Sequence, residues 1–173
     1  MKLCRILAAL PAALSVVHGV VVQPVYPLGI DVSSQQLDVD WTAVAANGIS
    51  FAYTMASEGT VDTSAADLNS EFSSQFTGAA RAGLIRGAFH LALPNLSSGA
   101  AQAAYFLNNG GHWVADNITL PGALDVGYDP NGSDECYNMS ASEMVAWIQD
   151  FSDTYHRATT RYPGEGFSSI HQD

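Results

Sequence analysis

The sequence predicts an α/β fold built on a parallel sheet or barrel. Three observations carry that reading. Short apolar runs alternate with helical segments along most of the chain. Several helical segments close on glycine, as helices commonly do. No internal repeat or low-complexity stretch interrupts the alternation. Successive parallel strands are then expected to join through right-handed crossovers.

The elements follow in order. Gly29–Val32 reads as a first strand, entered after Pro24 and Pro27. Asp40 is placed to cap a short helix over Trp41–Asn47, which Gly48 stops. Ile49–Ala56, rich in aromatic and β-branched residues, reads as the second strand. Leu68–Ala82 reads as a helix with Phe72, Phe76 and Ala79 on one stripe, closed by Gly83. Leu84–Leu91 is the third strand, and Ser98–Asn109 a helix closed by Gly110 and Gly111. Pro121–Tyr128 is the fourth strand. Ser140 and Glu143 form a capping box, after which Met144, Trp147, Ile148, Phe151 and Tyr155 recur at helical spacing. Arg161–Pro163 reads as the approach to a fifth strand, with no strand-like continuation from Gly164 to Asp173.

The N-terminus has a different character. Lys2 and Arg5 precede an apolar run over Ile6–Val17, followed by His18 and Gly19. This is the pattern of a secretory leader, and the run is too short to span a bilayer. The expected organisation is a leader at 1–19, a lead-in at 20–28, a folded domain at 29–163 and a divergent tail at 164–173. The 173 residues carry 17 acids against 6 lysines and arginines. Removing the leader takes away the lone lysine and leaves Arg81, Arg86, Arg157 and Arg161. Such a chain is a poor phosphate-neutralising surface, which argues against nucleic-acid binding. No later stretch is apolar enough for a membrane helix. Asn95, Asn117, Asn131 and Asn138 each head an N-x-S/T sequon, a pattern suited to a secreted glycoprotein. Cys136 is the one cysteine beyond the leader, which suggests a missing partner, an intermolecular bridge or an unpaired thiol.

Candidate chemistry centres on L-D-V-G-Y-D over Leu124–Asp129. Asp125 and Gly127 point to the same side of an extended strand, so two carboxylates there would form an acid/base pair. Only Asp125 is a carboxylate. Asp129 shares the parity but lies about 13 Å from Asp125 on an extended strand, and Asp129–Gly132 reads more readily as a turn. The histidines show no paired metal-ligand spacing, and there is no P-loop, dinucleotide fingerprint or G-x-S-x-G elbow. No metal and no cofactor are expected.

The ordered series G-I-D-V-S from Gly29, F-A-Y-x-x-A-S-E-G-T over Phe51–Thr60, A-G-L-I-R-G-A-F-H over Ala82–His90, S-G-A-A-Q-A-A-Y-F-L, L-P-G-A-L-D-V and R-Y-P resembles the glycoside hydrolase family 25 lysozymes. The likeness runs from about Gly29 to Pro163. It implies a modified TIM-like β/α barrel with its site at the C-terminal ends of the strands. The activity it implies is hydrolysis of the β-1,4 bond between N-acetylmuramic acid and N-acetylglucosamine in peptidoglycan, without metal or organic cofactor. Asp31 matches the family's first-strand aspartate. Asp125 matches the first acid of an Asp-x-Glu pair, and Gly127 stands where the family keeps the proton-donating glutamate. Tyr53, Glu58 and His90 match pocket-lining positions. Each has a plainer reading: core tyrosine, loop acid, hydrogen-bonded strand-end histidine. Gln35 stands in place of an aromatic, and Met55 in place of a lysine.

Cleavage of a glycosidic bond normally needs a proton donor and a second carboxylate. The expectation is therefore a secreted homologue with little or no hydrolysis, and a monomer whose partner is peptidoglycan or a related cell-wall polysaccharide. A non-catalytic module binding such sugars is the rival reading. A full β/α barrel needs about 200 residues or more, so the barrel is expected to be incomplete, with strands one to about five. For that reason Gly127→Glu alone is not expected to restore turnover.

Overall fold

The computed structural model describes residues 16–17, 20–21, 26–60, 67–129, 132 and 134–166. Val16–Val17 (β1) and Val20–Val21 (β2) pair as a short antiparallel ladder. The rest of the expected leader lies outside the described residues, as does Asn131. The main sheet contains β3 (Leu28–Val32), β4 (Ile49–Glu58), β6 (Ile85–Leu91), β7 (Ala123–Asp125) and β8 (Gly164–Gly166), side by side in that order. All four neighbouring pairs are parallel. A two-residue strand, β5 (Asp67–Leu68), adds antiparallel to the end of β4. The predicted α/β architecture is therefore present as five parallel strands of a half-barrel.

Four helices cover one face: α1 (Trp41–Ala46), α2 (Phe72–Arg81), α3 (Gly99–Phe106) and α4 (Ala141–Thr159). Ala52 meets Ala79 and Leu84 beneath them, flanked by Trp41 and Val44. Ala56, Ala88, Ala92 and Leu124 meet Phe106, Trp147, Phe151 and Tyr155. Small side chains on the strands leave space for large ones on the helices, which is how a close-packed layer forms. Tyr155 ties three elements together. Its hydroxyl accepts from Gly122 N at 2.6 Å and donates to Gly111 O at 2.9 Å.

The caps follow the sequence. The Asp40 side chain accepts from Ala43 N, Ser98 from Ala101 N, and Ser140 with Glu143 completes the capping box. Four boundaries differ. The second helix starts at Phe72 rather than Leu68, because Asp67–Leu68 pairs with Ser57–Glu58 and Asn69 then turns the chain. Asn69 Oδ1 accepts from Glu71 N, while Nδ2 donates to Met55 O and Gln75 Oε1. The third helix leaves α-geometry after Phe106 and runs through a wide turn, Leu107–Gly111, in which Gly110 sits at φ 113°. The fourth strand is three residues long, since its partner β8 is equally short and Val126 N closes the ladder on Gly166 O.

The fourth difference concerns the stretch read as a divergent tail. Gly164–Gly166 is a sheet strand, paired Ala123↔Gly164, Leu124↔Glu165 and Asp125↔Gly166. Glycine has low strand propensity, so no side-chain pattern announces it. The backbone bonds to β7 define it instead.

Helices α3 and α4 touch at Gly99. A Cβ there would lie 2.3 Å from Trp147 O and 2.6 Å from Phe151 N, both rigid backbone atoms. Trp147 Nε1 donates to Ser97 O and Asp150 accepts from Ala100 N, fixing that approach. Gly99→Ala is expected to cost about 1–3 kcal/mol through forced separation of the two helices. Urea unfolding measures it; an unchanged midpoint would contradict the close contact.

Candidate active site

Strand parity decides which side chains share the face left open by the helices. Asp31 pairs with Tyr53, Tyr53 with Gly87, Phe89 with Ala123, and Leu91 with Asp125. Asp31, Tyr53 and Asp125 therefore project to the same concave face, Asp31 and Asp125 at or near the C-terminal ends of β3 and β7 and Tyr53 midway along β4. Glu58 is five residues beyond Tyr53 and by plain alternation belongs on the helix side. A bulge between Met55 and Ser57 adds one residue and reverses the parity, so Glu58 pairs with Leu91 and joins the concave face.

Tyr53 is half-buried. Its ring lies over Gly87, where a Cβ would come within 2.2 Å of Cε1, and its hydroxyl donates to Pro121 O at 3.0 Å. Burial, helped by nearby Tyr155, pushes the phenol up to about 12. Tyr53 thus fills the wall below the acids rather than the rim. Met55 is buried on the same strand, and Gln35 lies exposed in the Ser33–Gln36 turn.

Beyond Asp125 the chain leaves the sheet. Gly127 is buried, and it is not one of the glycines held at positive φ, so its backbone conformation does not require glycine. Asp129 begins a turn, as the sequence suggested: its carboxylate accepts from Gly132 N and its N–H donates to Glu135 O. That turn brings in a residue the sequence reading missed. Tyr137 is 4% exposed and packs with Leu93 and Met144. Its hydroxyl faces Ala92 O and Tyr128 O, each at 3.4 Å. Burial first, then the charges of Asp129, Glu58 and Asp125, push this phenol up to about 12. Three carboxylates thus act on one neutral hydroxyl at the strand ends. Tyr137 also sits at φ 58°, an unusual conformation for an aromatic residue. Nothing in its sequence neighbourhood marks it, because the contact is made by a loop returning over the sheet.

His90 is not brought to this site. It pairs with Ser57 and Leu124, both on the helix side, and is fully buried. Gln102 Nε2 donates to Leu93 O and its Oε1 accepts from Leu93 N, which fixes the amide orientation. His90 Nε2 must then donate to Gln102 Oε1 at 3.0 Å, leaving Nδ1 to accept from Ser57 Oγ at 2.9 Å. The ring stacks near Phe106 and Phe151. The plainer of its two readings, a hydrogen-bonded core histidine, describes its surroundings.

A separate groove of about 470 Å³ lies between Leu37–Trp41 and Glu71–Gln75. Its acids have local work: Asp40 caps α1 and Glu71 accepts from Ser74 Oγ. None of the concave-face acids lines it. Among the described residues no group of three His, Cys, Asp or Glu side chains is arranged to hold a metal ion, and no helix is long and apolar enough to cross a membrane.

Acids at the C-terminal ends of parallel strands, with helices on the opposite face, define the chain as part of a β/α-barrel of the enzyme type. The chain belongs to glycosyl hydrolases family 25, whose sequence pattern residues 30–169 match. It is 49% identical over 133 residues to Lysozyme M1 of Streptomyces globisporus, covering 77% of this chain and 43% of that one. It is 46% identical over 139 residues to the N,O-diacetylmuramidase of Chalaropsis sp, covering 78% and 63% respectively. The solved muramidase from Acremonium alcalophilum superposes with a TM-score of 0.76 at 50% identity, covering 82% of this chain and 65% of that one. The chain thus spans between two fifths and two thirds of the length of these relatives.

The buried histidine has a measurable consequence. Burial lowers its pKa from 6.5 to about 4, against a smaller raising effect of the Gln102 hydrogen bond. The unfolded chain takes up a proton near pH 6.5, whereas the folded one does not until about 4. His90 therefore makes stability fall as pH drops through that window. His90→Gln is expected to flatten this part of the stability–pH curve, read by denaturant unfolding at several pH values. An equal slope in both proteins would contradict the buried neutral ring.

Proposed function

We propose that this chain is a secreted, peptidoglycan-binding member of its family whose hydrolytic activity is weak or absent. One observation carries the second half of that reading. Gly127 stands where the family resemblance places the proton donor, and its backbone does not need to be glycine. The relatives' names, lysozyme and N,O-diacetylmuramidase, support muramic-acid-containing glycans as the substrate class.

The remaining groups have distinct capacities. Asp31 and Asp125 offer two acceptor carboxylates on one face, suited to sugar hydroxyl and amide donors. They also supply negative charge for an oxocarbenium-like centre, the electrostatic half of glycoside hydrolysis. The Tyr137 hydroxyl, buried against Ala92 O and Tyr128 O, stays neutral in the field of Asp125 and holds its loop over the strand ends. The missing half is proton transfer to the leaving oxygen, a contribution of about 10²–10⁴-fold. The leader-like segment at 1–19 and the acidic composition support an extracellular site of action.

The expected outcome is retention on insoluble peptidoglycan in a pull-down without clearing of a cell-wall suspension. Asp125→Asn is expected to weaken retention several-fold. Robust clearing, abolished by Asp31→Asn, would overturn the inactivity. Failure to sediment with peptidoglycan would overturn the partner.

A further inference from the structure

Among the described residues, the three sequon asparagines fall at two opposite ends of the fold. Asn117 lies in the loop that enters the sheet from below, before β7, and its side chain is exposed. Asn95 and Asn138 lie at the other end. Asn95 is in the loop leaving β6, two residues after Leu93, and Asn138 directly follows Tyr137. Leu93 and Tyr137 pack against each other. Both loops therefore meet over the strand ends, where Tyr137 lies in the field of Asp125 and Glu58. Asn95 and Asn138 are themselves exposed. Asn138 takes a left-handed conformation, φ 57°, that asparagine tolerates better than most residues.

We propose that Asn95 and Asn138 carry N-linked glycans that rim the concave face and limit the size of polysaccharide that reaches it. In the modification the side-chain amide nitrogen attacks the anomeric carbon of a lipid-diphosphate-linked oligosaccharide. A C–N bond forms, the C–O bond to the diphosphate breaks, and the amide nitrogen gives up one proton as the lipid diphosphate departs. Each glycan is a bulky, solvated chain anchored on a loop packed beside Asp125. Short soluble fragments pass such a rim, while the flat mesh of an intact wall meets it edge-on. Asn117, at the far end, has no such effect when modified. The inference rests on the peptidoglycan reading for its ligand and on the leader-like segment for its route.

The test compares the full chain secreted from a eukaryotic host with an Asn95→Gln/Asn138→Asp variant and an Asn117→Asp control. Aspartate at 138 retains tolerance of the left-handed backbone. Enzymatic removal of glycans from the folded chain gives an independent route to the same state. Intact mass and peptide mapping read occupancy. Capture of soluble muramyl fragments and of intact cell-wall sacculi reads access. The expected result is occupancy at Asn95 and Asn138, with an about tenfold gain in sacculus affinity after their removal, unchanged fragment binding and no gain in the Asn117 control. Unmodified Asn95 and Asn138 overturn the proposal, as do occupied sites whose removal leaves sacculus binding unchanged. Occupied sites with no capture of either ligand by any form overturn the size limit together with the peptidoglycan reading, a result distinct from the other two.

Discussion

One extra residue in β4 decides what the concave face contains. Side chains alternate along a strand with no latitude, so Tyr53 and Glu58 belong on opposite faces unless the ladder is broken between them. The bulge at Met55/Ser57 breaks it once. Ser57 then turns toward the helices, where His90 receives its hydroxyl, and Glu58 turns toward Asp125 and Tyr137. The same irregularity thus assigns one residue to the core and its neighbour to the site. Bulges near strand ends often re-aim a side chain in this way.

The polar core around His90 holds the end of the sheet that bears the acids. Ser57, His90 and Gln102 are all fully buried, and their hydrogen bonds run from β4 through β6 to the backbone of Leu93. Leu93 supports Tyr137, and Ala92 N–H donates to Asp125 O at 2.8 Å. A buried polar group without a partner costs about 1–3 kcal/mol, so a chain of satisfied ones specifies a single arrangement. His90 is thereby linked to the acids through backbone rather than through solvent. Its side chain points to the helix side of β6, away from the open face, so a motif match at the strand end does not bring it to the concave surface.

Most of the fold was legible in the sequence because it rests on local signals. Glycine stops, caps at Asp40 and Ser140, and apolar periodicity located four helices and four strands to within a few residues. What escaped was set by pairing rather than by side-chain pattern. Gly164–Gly166 has no apolar residue to reveal it, and Asp67–Leu68 is a strand only because β4 overruns its expected end. The site divides the same way. Asp31 and Asp125 were found because strand-end acids in apolar runs are conspicuous. Glu58 is named through the family resemblance, but the bulge that turns it to the concave face is announced by no residue type, and Tyr137 needs a loop to fold back. Asp129 reads more readily as the start of a turn than as strand; the strand does end at Asp125, and from the turn the charge of Asp129 reaches Tyr137.

That convergence places one hydroxyl, Tyr137, in the field of three carboxylates at the strand ends. By surroundings it is a candidate proton donor, a protonated hydroxyl among carboxylates. Its acidity argues against that role. An efficient proton donor has a pKa near the working pH, because the proton must be both present and ready to leave. Burial and three negative charges push Tyr137 the wrong way, to about 12, so its proton is present but held. The same charges that would steady a positive sugar centre thus disable the neighbouring phenol as an acid. Its one proton is directed at the carbonyls of Ala92 and Tyr128, so Tyr137 is suited to hold its loop in place over the strand ends. The concave face therefore gathers strand-end carboxylates around a phenol that keeps its proton.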